Sequence, residues 1–523
     1  MPIINDWTSN IREGKTTRYS SLIALQYYEW VISEDVYLSD DNTKEQLLKT
    51  IIYGAAEIKT ELKNIFKKII QNKWKRHRDP YYDFSKFILT KLEGILVCKY
   101  LPNCVLKLAD LFWTITPKSE YPFGHSSLDI KSYFGLEEYH LDYFPSSAFQ
   151  TPIYWLLQFS YNSTVDFILR FTNKSISKYA QSGFDNSVKE VKVYINEENS
   201  IKQYVSHCLW NMYRGTSSPR SPYLLQSIHM ALEKYLLEVG EKINSESLEN
   251  ILLYLIKNSE SASITSIVAS IVLAYPEKTF NIAKILFKTK EFILQDTTRL
   301  VSEKNTKSLY SLGQNMGSRG NEFYENERIK TCEDKHRKLS LERLFLNYQC
   351  FRSEETSEEV AEDRQEVLWN ILDDYYQELP DKLKENETDK TWRLFLSRMD
   401  RRKINITTEL VENGIEIQFN PKIEPELQKY SEKALEKSSR LTKHLSLKHW
   451  AELKFNNDEK YKKYDKYEND PLLALQEVKD IIEEAGQIGS DDLDNVDYDN
   501  QQSYLRLNRS IPAYVCSLLI ENN

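Results

Sequence analysis

Pro152-Ile-Tyr-Trp-Leu-Leu157 opens the stretch that decides the fold, and beyond Asn162-Ser163 it continues through Val165, Ile168, Leu169, Thr172, Ile176 and Tyr179. Apolar residues recur at three- and four-residue steps, the pattern of a helix with one buried face. Pro152 suits a first helical position, because the N–H it lacks would be unpaired there, and Thr151 or Gln150 stands before it as a cap. Working outward, a helix is expected over about 201–213. The next carries Leu225, Ile228, Leu232, Tyr235 and Leu236, and two more cover about 247–257 and 262–274. Helix pairs then begin near 152, 201 and 247, at intervals of 49 and 46 residues. Stacked helix pairs of the HEAT or armadillo kind repeat every ~40–47 residues. The expected fold is therefore predominantly all-α, an α-solenoid with a small β-hairpin.

Toward the N-terminus the helical pattern starts near Lys44 and runs through Leu47, Leu48, Ile51, Ile52, Ala55, Ile58, Leu62, Ile65, Phe66 and Ile69. A second run, Phe84 to Trp113, is apolar on more than one face and interrupted or kinked at Pro102. Residues 115–147 are irregular, with aromatics among Pro117, Pro122, Gly124 and Pro145. Residues 189–195 alternate and form a short strand. Farther on, helices are expected over 339–351, 358–379 and 390–400. A β-hairpin is expected over 404–419 with Asn413-Gly414 as its turn pair. A charged helical tail follows from Glu424 to about Ala485, then the acidic Ser490–Asn500, then an apolar helix from Leu505 to Ile520. That last helix needs a neighbour: it docks backward, or the chain is cut from something longer. The regions are 1–114 (helical), 115–300 (helical repeat), 301–338 (a mobile polar connection with Gly313, Gly317 and Gly320), 339–486 (charged helices with the hairpin) and 487–523 (acidic loop and last helix).

Composition agrees with helices. Among 523 residues only 14 are Gly and 15 Pro, too few for a loop-rich barrel or sandwich. No run reaches the ~18–20 apolar residues that span a bilayer, and the first thirty residues are polar, so no membrane partner is expected. Six scattered Cys in so long a chain point to a reduced, cytoplasmic setting.

No catalytic signature emerges, so enzymatic activity in this chain is not expected, and no cofactor is assigned. Gly14-Lys15-Thr16 matches only the end of a P-loop: Ser9 stands where the first Gly belongs, and only Pro2-Ile3-Ile4 precedes it in place of a buried strand. Cysteine, histidine and carboxylate spacings give no set of three or four metal ligands. Two basic clusters have the composition to contact phosphates, Lys73, Lys75, Arg76 and Arg78 around Trp74, and Arg401 with Arg402. The net charge of −9 opposes nucleic-acid binding. Aromatics dominate interface energetics, so Tyr139, Tyr143, Phe144, Trp155 and Tyr223 are the candidate partner contacts.

The segments Phe144-Pro-Ser-Ser-Ala-Phe-Gln-Thr-Pro-Ile-Tyr-Trp-Leu-Leu157, Asp166-Phe-Ile-Leu-Arg-Phe-Thr-Asn173, Tyr223–Leu237 and Ser266–Pro276 resemble the helical-repeat region of large bacterial ATP-binding proteins of the signal-transducing NTPase kind, some of which serve in antiphage defence. The resemblance implies a sensor or regulatory module without its own ATP site, partnered with an NTPase subunit or a phage protein. Two other classes stay open: an NTPase or nuclease whose site assembles only in three dimensions, and a helical nucleic-acid-binding protein.

Overall fold

The computed structural model describes residues 11–34, 41–72, 74–75, 78–115, 130–137, 142–216, 221–311, 322–354, 356–411, 414–455, 459–488 and 508–521. The molecule is 73% helical, with 24 helices and two antiparallel two-stranded sheets among the described residues, a predominantly all-α fold. The chain divides into two compact units: Met1–Gln377 with Met399–Arg401, and Glu378–Arg398 with Arg402–Asn523.

In the first unit, α1 (Lys15–Ser33) lies against α2 (Asp41–Tyr53), with α3 (Lys59–Gln71) beside it. The run that begins near Lys44 is not one helix, because it breaks after Tyr53. A Cβ on Gly54 would stand 2.0 Å from Ser21 Oγ, so the end of α2 approaches α1 as only glycine permits. The next apolar run splits into α4 (Tyr82–Thr90), α5 (Ile95–Tyr100) and α6 (Pro102–Trp113). A 3-10 turn at Leu92–Gly94 makes the first break and Pro102, seated in the first turn of α6, makes the second.

Two helices, α7 (Ile153–Phe159) and α8 (Tyr161–Gln181), follow the predicted pattern. Pro152 stands one residue before α7 and no side chain caps it, so the expected Thr151 or Gln150 cap is absent. The short strand is β1 (Lys189–Tyr194), paired with β2 (Ser200–Val205). Here the structure replaces an expected helix over 201–213. Val193 pairs with Ile201 and Val191 with Gln203, and Ile201, Gln203 and Val205 alternate along the more buried face of β2. Only a one-turn helix, His207–Trp210, remains, capped by Ser206. The middle member of the 152, 201, 247 series thus opens on a strand.

The core of this unit gathers on α9 (Tyr223–Lys242), α10 (Ser245–Lys257) and α11 (Ala262–Ala274). Every residue of α11 from Ala262 to Leu273 is buried. Around it stand α12 (Phe280–Phe287), α13 (Lys290–Ser311), α14 (Glu322–Thr331), α15 (Leu341–Cys350) and α16 (Glu358–Glu378). Gly313, Gly317 and Gly320 lie outside the described residues.

The second unit contains α17 (Glu387–Met399), the hairpin of β3 (Ile404–Val411) and β4 (Gly414–Pro421), and α18 (Pro425–Thr442), α19 (Leu445–Phe455), α20 (Pro471–Ile488) and α21 (Ile511–Glu521). Val411 pairs with Gly414, so Gly414 belongs to the ladder rather than to the turn. The apolar last helix docks backward: Ile511, Val515 and Leu518 of α21 join Leu447, Trp450, Ala474, Val478 and Ile481 in one core.

Candidate interaction surface

Helix α1 has an unusual outer face. Thr17, Ser21, Ala24, Leu25, Tyr28 and Val31 turn inward, which accounts for one side. On the other, Thr16, Tyr19, Ile23, Gln26, Trp30 and Ser33 are all exposed. Tyr19 is 64% exposed, Ile23 53% and Trp30 49%, and Tyr27 at 37% stacks on Trp30 with ring centres 5.6 Å apart. The six outward residues step by three and four alternately and carry no charge. Two of the charges nearby, Arg18 and Glu29, are drawn inward to α3 and its approach. Arg18 pairs with Glu61 at 2.5 Å and also donates to the Glu57 carbonyl, and Glu29 accepts from Lys68 at 2.5 Å. Covering a large apolar side chain is worth about 1.5–3 kcal/mol, so Tyr19, Ile23, Tyr27 and Trp30, exposed together on one helix, make this face a candidate docking surface.

The same packing disposes of the P-loop reading of Gly14-Lys15-Thr16. Gly14, at φ 105°, precedes α1, and its N–H donates to Glu57 Oε1 at 2.7 Å. A carboxylate thus holds the helix start where a phosphate would lie, and none of the described residues before Gly14 forms a strand.

A second concentration of chemistry lies inside the first unit. Arg214, Arg299, Arg328 and Arg337 are each at most 1% exposed. Arg214 forks onto Glu303 of α13, with its Nε 2.9 Å from Oε2. Arg299 donates to Asp296 at 2.8 Å and to the Arg337 and Leu339 carbonyls. The Leu341 N–H at the start of α15 reaches Asp296 at 2.7 Å. Arg337 donates to Glu233 of α9 at 2.7 Å, and Ser270 of α11 donates to the same carboxylate. Arg328 of α14 donates to the Arg214 carbonyl at 2.9 Å. Burial alone would raise the Glu233 pKa, but the Arg337 guanidinium overrides it and holds the carboxyl down to about 2. His336 beside them is pushed down to about 3, first by burial and then by Arg337. Tyr213, under the Arg337 guanidinium at 5.5 Å, is pushed up to about 12 by burial. Charges so matched and so enclosed bind helices to one another; they are not presented to a ligand.

Of the residues singled out from sequence, Tyr143 is buried, its hydroxyl accepting from Trp113 Nε1 at 2.6 Å. Phe144 and Tyr223 are half-buried and meet edge-on at 5.1 Å, while Trp155 packs on Phe149 and Tyr154. All four touch neighbours in their own chain; Tyr143 is enclosed, while Phe144, Trp155 and Tyr223 keep part of their surface in solvent. Tyr139, Lys73 and Arg76 lie outside the described residues. Lys75 and Arg78 are exposed, and Trp74 is half-buried, tilted against Phe112 with ring centres 5.7 Å apart. Arg401 is half-buried with its N–H on Gln349 Oε1 at 3.2 Å, and Arg402 is exposed. Among the described residues no three His, Cys, Asp or Glu side chains converge to hold a metal ion, and no helix is long and apolar enough to cross a membrane.

The sequence matches no protein-family model and no curated protein. The α1 face was hidden from periodicity analysis because both sides of the helix carry aromatic and small hydroxyl residues. Inward Thr17, Ser21 and Tyr28 look like outward Thr16, Ser33 and Tyr27. The alternate three-and-four spacing of Tyr19, Ile23, Gln26 and Trp30 was the available signal.

Proposed function

We propose that this chain is a non-catalytic helical recognition module that grips a protein partner by helix packing. The observation that supports this is the charge-free aromatic face of α1, which is exposed on a helix whose other side is fixed to α2 and α3. A rigid helix that presents Tyr and Trp loses little side-chain freedom on binding. The resemblance to helical regions of signal-transducing NTPases extends the proposal: the module senses or regulates in a bacterial antiphage system, works in the cytoplasm, and leaves nucleotide chemistry to its partner.

Two preparations of the immobilised full chain, wild type and Trp30→Glu, exposed to extract from its own host, test the proposal. An NTPase retained by the first and lost from the second is the expected outcome. Nucleotide turnover by the purified chain itself, or equal retention by both, would refute it.

A further inference from the structure

The outward residues of α1 form a seam of the coiled-coil kind. Thr16, Tyr19, Ile23, Gln26, Trp30 and Ser33 are separated by 3, 4, 3, 4 and 3 residues, alternating a and d positions, and every one is exposed. An average step of 3.5 residues lets such a face follow one partner helix along its whole length, and this one carries Tyr19, Ile23 and Trp30 where a solvated helix face carries charge. From this seam we propose that the chain forms a two-fold dimer in which α1 packs antiparallel against α1 of a second copy. The proposal rests on reading α1 as a docking face and sets a second copy on it in the chain by itself, an unlike partner displacing that copy.

A second copy fits because the seam complements itself when reversed. Antiparallel pairing sets each a position against a d position of the other helix. Thr16 meets Ser33, Tyr19 meets Trp30 and Ile23 meets Gln26, and each layer occurs twice about the axis. Small faces small and aromatic faces aromatic. Tyr27 then flanks its own counterpart near the axis.

Charge selects the direction. At the flanking positions an antiparallel pair brings Lys15 toward Glu29 of the other copy, opposite in sign. A parallel in-register pair brings Glu29 toward Glu34 instead, like against like. Glu29 uses Oε1 toward Lys68, and a carboxylate has a second oxygen to offer. Reversed helices also set their macrodipoles head to tail.

The seam is short. A helix of 19 residues is about 28 Å long, and a single helix-on-helix contact falls below the ~1,200 Å² of a standard interface. Association is therefore expected in the micromolar range, with Gln26 at the centre weakening it as polar seam residues do.

Sedimentation equilibrium of the full chain from about 1 to 200 µM tests this. The weight-average mass should climb from 61.7 kDa toward twice that value. Ile23→Glu, whose side chain is exposed in the monomer, should keep its helical spectrum and stay monomeric. Gln26→Leu should tighten the dimer by tenfold or more, and Lys15→Glu should loosen it severalfold. Wild-type and Gln26→Leu chains that both remain at 61.7 kDa throughout, or a dimer indifferent to Ile23→Glu, would overturn the proposal. If the wild type stays monomeric while Ile23→Glu loses a captured partner, the dimer is excluded and α1 remains a docking face. If seam variants alter neither mass nor capture, both readings fall.

Discussion

Glu233 joins two helices and a turn through a single carboxylate, since Arg337 and Ser270 both reach it. Its removal leaves Arg337 enclosed and unpaired, a situation that costs about 3–5 kcal/mol. Glu233→Met alone should therefore lower the unfolding midpoint strongly. Glu233→Met with Arg337→Met should recover most of the loss, because an apolar pair of similar volume fills the same space; denaturant titration of the three chains measures both. Acid acts on neighbouring residues. Burial pushes the His229 pKa down to about 4, and burial with Arg337 pushes His336 down to about 3. In the unfolded chain both imidazoles take up protons near pH 6.5, so acid favours unfolding from there down through the folded values. Stability is complete above about pH 6.5 and is lost progressively toward pH 4 and below. The Glu233 carboxyl adds a further loss between its unfolded range near 4.5 and about 2. His229→Gln should flatten the upper part of this profile by about 3 kcal/mol. A stability-versus-pH curve that is level from 7 to 4 would contradict the burial argument.

At the scale of elements, breaks matter as much as helices. A Cβ on Gly94 would come within 2.3 Å of the Ile88 carbonyl oxygen, a backbone atom with no rotamer to move. Gly94→Ala should part α4 from α5 and cost about 1–3 kcal/mol, measurable as a fall in the thermal midpoint without loss of helix content at low temperature. Such breaks explain what was legible in the sequence. Helices α15, α16 and α17 sit close to their predicted spans, and in α16 the buried residues Leu368, Ile371, Leu372 and Tyr375 make a single stripe at three- and four-residue steps. The hairpin followed from its alternating Ile residues; of the expected turn pair, Gly414 belongs to β4 and Asn413 lies outside the described residues. The break at Pro102 was legible in the same way, whereas the break at Leu92–Gly94 depends on how closely Gly94 meets the Ile88 carbonyl, which periodicity does not show. The strand at 200–205 was missed because Ile201, Tyr204 and Val205 satisfy a short helical pattern as readily as a strand, and only pairing with β1 decides. The buried arginines were equally hidden. Arg328 and Arg337 lie in sequence that looks solvated, and their partners Arg214 and Glu233 are more than a hundred residues away.

For the whole molecule, two compact units predict two steps in unfolding. Calorimetry should resolve two endotherms, and the one belonging to the first unit should shift downward as pH falls from 7 to 4, because His229 and His336 both lie there. A single sharp endotherm would show that the units unfold together. Helix α11 adds a consequence of its own. It is enclosed from Ala262 to Leu273, and its Ser263, Thr265, Ser266 and Ser270 hydroxyls are all engaged. Solvent reaches its backbone only when the surrounding helices have separated, so its amides report the largest opening of the first unit. In heavy water, the amide protons of Ile264 to Val272 should be the last to exchange for deuterium.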